Sequence, residues 1–263
     1  MFVSKPIVVV EQLTYQIGSH ASPLLDGISF RLEEASFTVL CGANGCGKSL
    51  LLRHLNGLLR PTSGNIYLHG RNIWDDIWDT RQQVGLVFQD PEWQLIGETV
   101  REDIGFGLEN MGVSMDMRNE KISLIAQQLQ IMHLLDRYQY QLSGGEKHLV
   151  ALAGVLVMGA KVVVLDEPFN ALDFHATQNL LLRLLELQEQ QQTTILLVTH
   201  DLEKVLAHTN HLIVMSKGQI ALQGTPEQIL PQVAQFGIKV PTLNARKMND
   251  LSSNAAKHLQ FIR

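Results

Sequence analysis

Three short stretches of this chain carry residues suited to handling phosphate and a divalent cation. The first is Gly42-Ala43-Asn44-Gly45-Cys46-Gly47-Lys48-Ser49, with the spacing G-x-x-x-x-G-K-[ST]. Glycines there let successive backbone N–H groups converge on phosphate oxygens. A helix opening at the end of the loop adds about half a positive charge. Asn44, Gly45 and Gly47 form the cradle. Lys48 offers a cation to the β and γ phosphates of a nucleoside triphosphate, and Ser49 offers a hydroxyl to Mg²⁺. The second stretch is Val162-Val163-Val164-Leu165-Asp166-Glu167. Its apolar run reads as a buried parallel strand, and the carboxyl ends of such strands open on the ligand crevice of an α/β sheet. Asp166 is then the candidate for Mg²⁺ and Glu167 the candidate general base for an attacking water. Because side chains alternate along a strand, the two acids are expected to point different ways. The third stretch, Thr194 to Val198 followed by Thr199-His200-Asp201, sets His200 at another strand end, facing the γ-phosphate. Gln89 closes the run Val84 to Phe88 and is placed to sense Mg²⁺ or the lytic water; taken alone it is an exposed glutamine.

The elements that must position these groups follow from pattern. Val8–Tyr15, Ile28–Glu34, Phe37–Cys41, Asn65–His69 and Val84–Gln89 read as strands. A leucine-rich helix runs from Lys48 to Leu59, ahead of Pro61. From Thr99 to Met158 the pattern is helical, so residues of about 90–156 form a helical insertion. Phe174–Gln190 is a further helix, and His211–Leu222 a hairpin turning at Lys217-Gly218. Thr225 caps a short helix with Pro226 at its first position. The last thirty residues are polar and weakly patterned: an extension, a docking segment or a loose tail. The fold class is α/β, with one main unit over residues 1–230 and an extension over 231–263.

Composition narrows the function. The 263 residues carry a net charge of -5 with 18% charged residues, which argues against nucleic acid as a partner. Cys41 and Cys46 are too few for a disulfide framework and fit a reducing compartment. Cys46, lying inside the phosphate loop, predicts sensitivity to thiol reagents. The longest apolar run, Leu149–Ala160, has 12 residues, too short to span a bilayer, and reads as a buried helix. No N-K-x-D loop for guanine is present. Tyr15, just after the first strand, offers a ring that either stacks on adenine or packs.

Together GANGCGKS, VFQDPE, LSGGE, VVVLDEP, NALD and VTHD, in this order, resemble the ATP-binding cassette (ABC) ATPases over roughly Val8 to Pro226. The resemblance implies a P-loop NTPase core with an antiparallel β subdomain and an inserted α-helical subdomain, using ATP and Mg²⁺. It puts Tyr15 at the adenine-stacking position. It also implies that LSGGE acts in trans. Ser143, Gly144 and Gly145 would hold the γ-phosphate of ATP bound to a second ATPase subunit, a copy or a paralogue, with Asp173 at the same interface. The segment Gln89–Val113 looks like the ATPases of energy-coupling-factor importers of vitamins and cobalt. Such an ATPase sits peripherally on the cytoplasmic face of the cell membrane. It grips a transmembrane coupling protein that works with a membrane substrate-binding protein, and Trp93 is a candidate anchor. A conventional importer or exporter ATPase is the alternative. A soluble cassette acting on ribosomes or DNA, and a nucleotide switch without hydrolysis, fit less well. His148-Leu149 stand where the family carries Gln-Arg, so Leu149 removes a charge expected to order the signature region.

Overall fold

A computed structural model describes residues 5–18 and 22–241. Along the chain run β1 (Pro6–Tyr15), β2 (Leu25–Glu33), β3 (Phe37–Gly42), α1 (Lys48–Leu55), β4 (Ser63–Leu68), β5 (Arg71–Asn72), α2 (Ile77–Gln83) and β6 (Val84–Val87). They are followed by α3 (Val100–Asn110), α4 (Met115–Gln128), α5 (Gly144–Leu156), β7 (Val162–Asp166), α6 (Phe174–Gln191), β8 (Thr194–Val198), β9 (His211–Ser216), β10 (Gln219–Gly224) and α7 (Pro226–Ile229).

The strands divide into two sheets. An antiparallel one has the order β2-β1-β4-β5, and the larger one has the order β10-β9-β3-β8-β7-β6. In the larger sheet β3, β6, β7, β8 and β9 run parallel, and only the β9–β10 hairpin edge is antiparallel. Parallel strands covered on both faces read as unbroken apolar runs. Val163 and Leu165 of β7 turn to the core shared with α3, α5 and α6, whereas Val162 and Val164 turn to the core shared with α1 and the antiparallel sheet.

The helical insertion is α3, α4 and α5, packed on one another beside the sheet. The start of α3 is pinned by Thr99, whose side chain caps Glu102 N while Glu102 bonds back to the Thr99 N–H. Of the run Leu149–Ala160, the part up to Leu156 lies in α5 and is mostly buried, while the helix ends there and Gly159 is exposed.

Three local expectations change. The first helix ends at Leu55, not Leu59, because Gly57 adopts φ 68° and Leu58 and Leu59 both donate to Arg53 O. A helix unforeseen from pattern, α2, starts where Asp76 caps Asp79 N; at seven residues it is too short for a periodic signal. Beyond α7, Leu230–Phe236 forms a 3-10 turn with Val233 and Ile238 in the main core. The rest of the tail, 242–263, lies outside the described residues.

Candidate active site

The phosphate loop leaves β3 and enters α1. Two of its glycines are obligatory. A Cβ on Gly42 would lie 2.4 Å from Met215 O, and Gly47, at φ 105°, would place one 2.8 Å from Leu25 Cδ2. The loop is braced from the far end of the chain. At the β9–β10 turn Gly218 N donates to Cys46 O (3.1 Å), and Asp26 N donates to Gly218 O (2.8 Å). Lys48 is 7% exposed, and its Nζ donates to Gly42 O (2.8 Å) and Ala43 O (3.3 Å), carbonyls of its own loop.

A cavity of about 520 Å³ opens on this loop. Asn44, Gly45, Gly47, Lys48, Ser49, Gln89, Asp166, Glu167 and His200 all line it, so residues from four separate strand ends meet at one place. Asp166 is 8% exposed, and its Oδ1 has no hydrogen-bond partner. Burial raises its carboxyl above the usual range, opposed by the facing Ser49 hydroxyl. A buried, orphaned carboxylate oxygen beside a hydroxyl is a hard-oxygen donor pair that fits a magnesium ion.

Glu167 departs from its expected direction. The residue lies just past β7 at φ 46°, so strand alternation no longer applies, and its carboxylate lines the same cavity as Asp166. Its main chain stays tied down, since Glu167 N donates to Val198 O at 3.0 Å. Glu167 Oε2 accepts from His200 N (3.3 Å) and lies 2.9 Å from His200 Nδ1. A carboxylate fixed at one oxygen by an imidazole can present the other to a water.

Cys46 is only 7% exposed, and burial pushes its thiol above its ordinary value. The expected thiol-reagent sensitivity is therefore withdrawn: the side chain faces the core, not the phosphate side.

Tyr15, Ser143, Gly144, Gly145 and Asp173 stand outside the cavity lining. The Tyr15 ring sits edge-on to His54, centroids 4.8 Å apart, and Tyr15 pairs across the sheet with Leu25, next to Leu24 on the cavity rim. Ser143 and Gly144 are exposed at the start of α5. Ser143 N and Oγ both donate to Glu146 Oε2, at 2.7 and 2.8 Å. Gly145 is pressed against α6, where a Cβ would come 2.8 Å from that of Ala176. Asp173 caps α6 through Ala176 N (2.8 Å), and Ala176 is the residue Gly145 approaches, so the signature turn lies close to the start of α6.

The Leu149 expectation also changes. Its side chain is 4% exposed inside the main core, so apolar packing orders the signature helix where a surface charge was looked for. Pattern reading missed Leu24, Leu50 and Asn170 in the cavity lining. Of these only Asn170 carried a signal, as the first residue of NALD.

The chain has relatives among known proteins. The family model described as ABC transporter matches residues 25–170. The chain is 37% identical over 243 residues to the energy-coupling factor transporter ATP-binding protein EcfA1 of Geobacillus kaustophilus, covering 91% of this chain and 87% of that one. It is 37% identical over 233 residues to EcfA2 of Caldanaerobacter subterraneus, covering 86% and 82%. Among solved structures it resembles cbiO1 of Clostridium perfringens, described as part of the ABC transporter complex cbiONQ. That match has a TM-score of 0.79 and 33% identity, covering 94% of this chain and 99% of that one. With its phosphate loop, strand-end acids and signature turn so arranged, the chain belongs to the ABC transporter family, among the energy-coupling factor transporter ATP-binding proteins.

Proposed function

We propose that this chain hydrolyses ATP at a site shared with a second ATPase subunit and so drives uptake of a vitamin or transition metal ion through an energy-coupling-factor membrane complex. The observation that carries the reading is the separation of two phosphate-type turns. The cavity has one, at Asn44–Ser49, while Ser143 and Gly144 head a helix in the open, away from it. An exposed helix N-terminus of small residues suits an anion supplied by another subunit. ATP bound to one chain then meets Ser143, Gly144 and Gly145 of the next, with Asp173 beside them, and closure follows ATP occupancy.

Within the cavity Lys48 neutralises phosphate charge; Tyr15, outside the lining, marks the adenine end of the site. Ser49, Asp166 and Gln89 would hold Mg²⁺, which neutralises charge on the β and γ oxygens when bound. Glu167 takes the proton of the attacking water, and His200 steadies Glu167 and faces the γ-phosphate.

No helix among the described residues is long and apolar enough to cross a membrane. A peripheral position on the cytoplasmic face, docked on a transmembrane coupling protein and its substrate-binding membrane partner, fits that finding. Trp93, 82% exposed in the loop after Gln89, suits such docking.

Replacing Glu167 by Gln tests the base. The variant should bind ATP, lose roughly 100-fold or more of its turnover and accumulate as a closed dimer; hydrolysis at the parent rate would overturn the assignment.

A further inference from the structure

The first turn of α5 does more than present the signature residues. Lys147 Nζ forms an ion pair with Glu92 Oε1. Glu92 stands in the 3-10 turn Pro91–Trp93, three residues past Gln89. The lysine side chain is 15% exposed and its carboxylate partner 64%, so the pair lies at the surface with the lysine stem covered and the glutamate open to water. Beside it His148 is 3% exposed. Its Nδ1 is engaged by Gly144 O at 3.0 Å, the carbonyl of a signature residue. The other ring nitrogen, Nε2, makes no hydrogen bond, and the ring faces the Gln89 main chain and the Asp90 carboxylate. Asp90 in turn shapes the 3-10 turn, accepting from Glu92 N (3.1 Å) and Trp93 Nε1 (3.0 Å). At the base of the loop, Gln94 accepts from Phe88 N (3.3 Å) and donates to Leu86 O (3.1 Å). The Gln89 loop is thus held to β6 at its base by Gln94 and to α5 at its tip by Lys147, with the buried His148 ring beside that tip.

We infer that Lys147 and His148 are positioning residues that fasten the Gln89 loop to the signature helix. A shift of the loop at this chain's own nucleotide is thereby delivered to the turn offered to the partner's. The inference rests on the trans reading of Ser143–Gly145. Its physical content is a short, stiff connection between two sites: one ion pair and one buried ring, both borne on one helical turn. Gln89 lines one site, and Ser143 and Gly144 belong to the other. Neither Lys147 nor His148 lines the cavity, so both act through the loop and not on phosphate.

A charge exchange tests it in the assembled transporter. Lys147→Glu and Glu92→Lys are each expected to lower kcat by roughly two- to thirtyfold, the range for coupling-network changes. KM for ATP should hold, and the Hill coefficient for ATP should fall toward one. The double exchange should restore both kcat and cooperativity. Lys147→Met, which keeps the buried stem, should behave as the single exchanges do, and His148→Leu should also lose cooperativity. Thermal melting and binding of a fluorescent ATP analogue to the isolated subunit should stay at parent values throughout. Parent-level cooperativity in the single variants, or a double variant as impaired as both singles together, overturns the connection. A loss of melting temperature that tracks the loss of kcat also overturns it, by making the pair merely structural. Ser143→Arg is run in parallel. If that variant still turns over ATP, the trans reading itself has failed, whatever the charge exchange does.

Discussion

Single residues here act through where burial and backbone put them. Glu167 and Asp166 are neighbours in sequence, yet one is fixed by an imidazole and the other left with a bare oxygen. Adjacent carboxyls so divided can take different tasks, one held ready for a proton and one for a cation. Cys46 gives the opposite lesson, because a residue inside a catalytic loop need not be chemically available. Its thiol is buried and its pKa is raised, so little thiolate exists near neutrality. The native protein should react with iodoacetamide at no more than roughly a tenth of its rate in denaturant. Mass spectrometry of the alkylated peptide checks this, and fast native labelling of Cys46 would contradict the inward orientation. Cys41, with its thiol pushed up to about 12 by burial, should be slower still.

At the scale of elements, α5 is the piece on which most depends, since it joins the signature turn, the Gln89 loop and the core. It approaches α6 closely enough at Gly145 that even one added carbon forces movement. Gly145→Val should therefore cost about 1–3 kcal/mol of stability, seen as a lower urea midpoint with the slope unchanged. It should also push the signature turn outward and reduce turnover. Most of these elements were legible from residue types. β3, β7 and β8 were plain as short apolar runs at the right distances from their motifs, and nine proposed site residues do converge on one cavity. What stayed hidden had no local signal. The bracing of the phosphate loop by Gly218 is a contact across about 170 residues of chain, and no pattern encodes it. The direction of Glu167 was misjudged because strand alternation was carried one residue too far, past the end of β7. Leu149 was misjudged because helix position 149 was compared with a family pattern and not with the core it enters.

For the whole molecule, the proposed trans arrangement would make two cassettes mutually dependent. On that proposal Lys48→Ala should disable the phosphate loop of its own chain, while Ser143→Arg should disable the site of the neighbour. Each variant alone should be inactive. Co-expressed copies carrying one change apiece should recover activity, because a mixed dimer contains one site with both a normal lysine and a normal signature turn. Recovery near a quarter of the parent rate is expected on the order of simple random pairing, with half the dimers mixed and one of two sites working in each. No recovery would mean that copies of this chain do not complete each other. The location of β3 has a further consequence, for synthesis at the ribosome. That strand, Phe37 to Gly42, lies between β8 and β9, which begin at Thr194 and His211. A nascent chain therefore carries an apolar strand without its sheet neighbours until about 150 further residues have been made. The turn that braces Cys46 emerges later still, so the nucleotide pocket is finished only long after its loop is made.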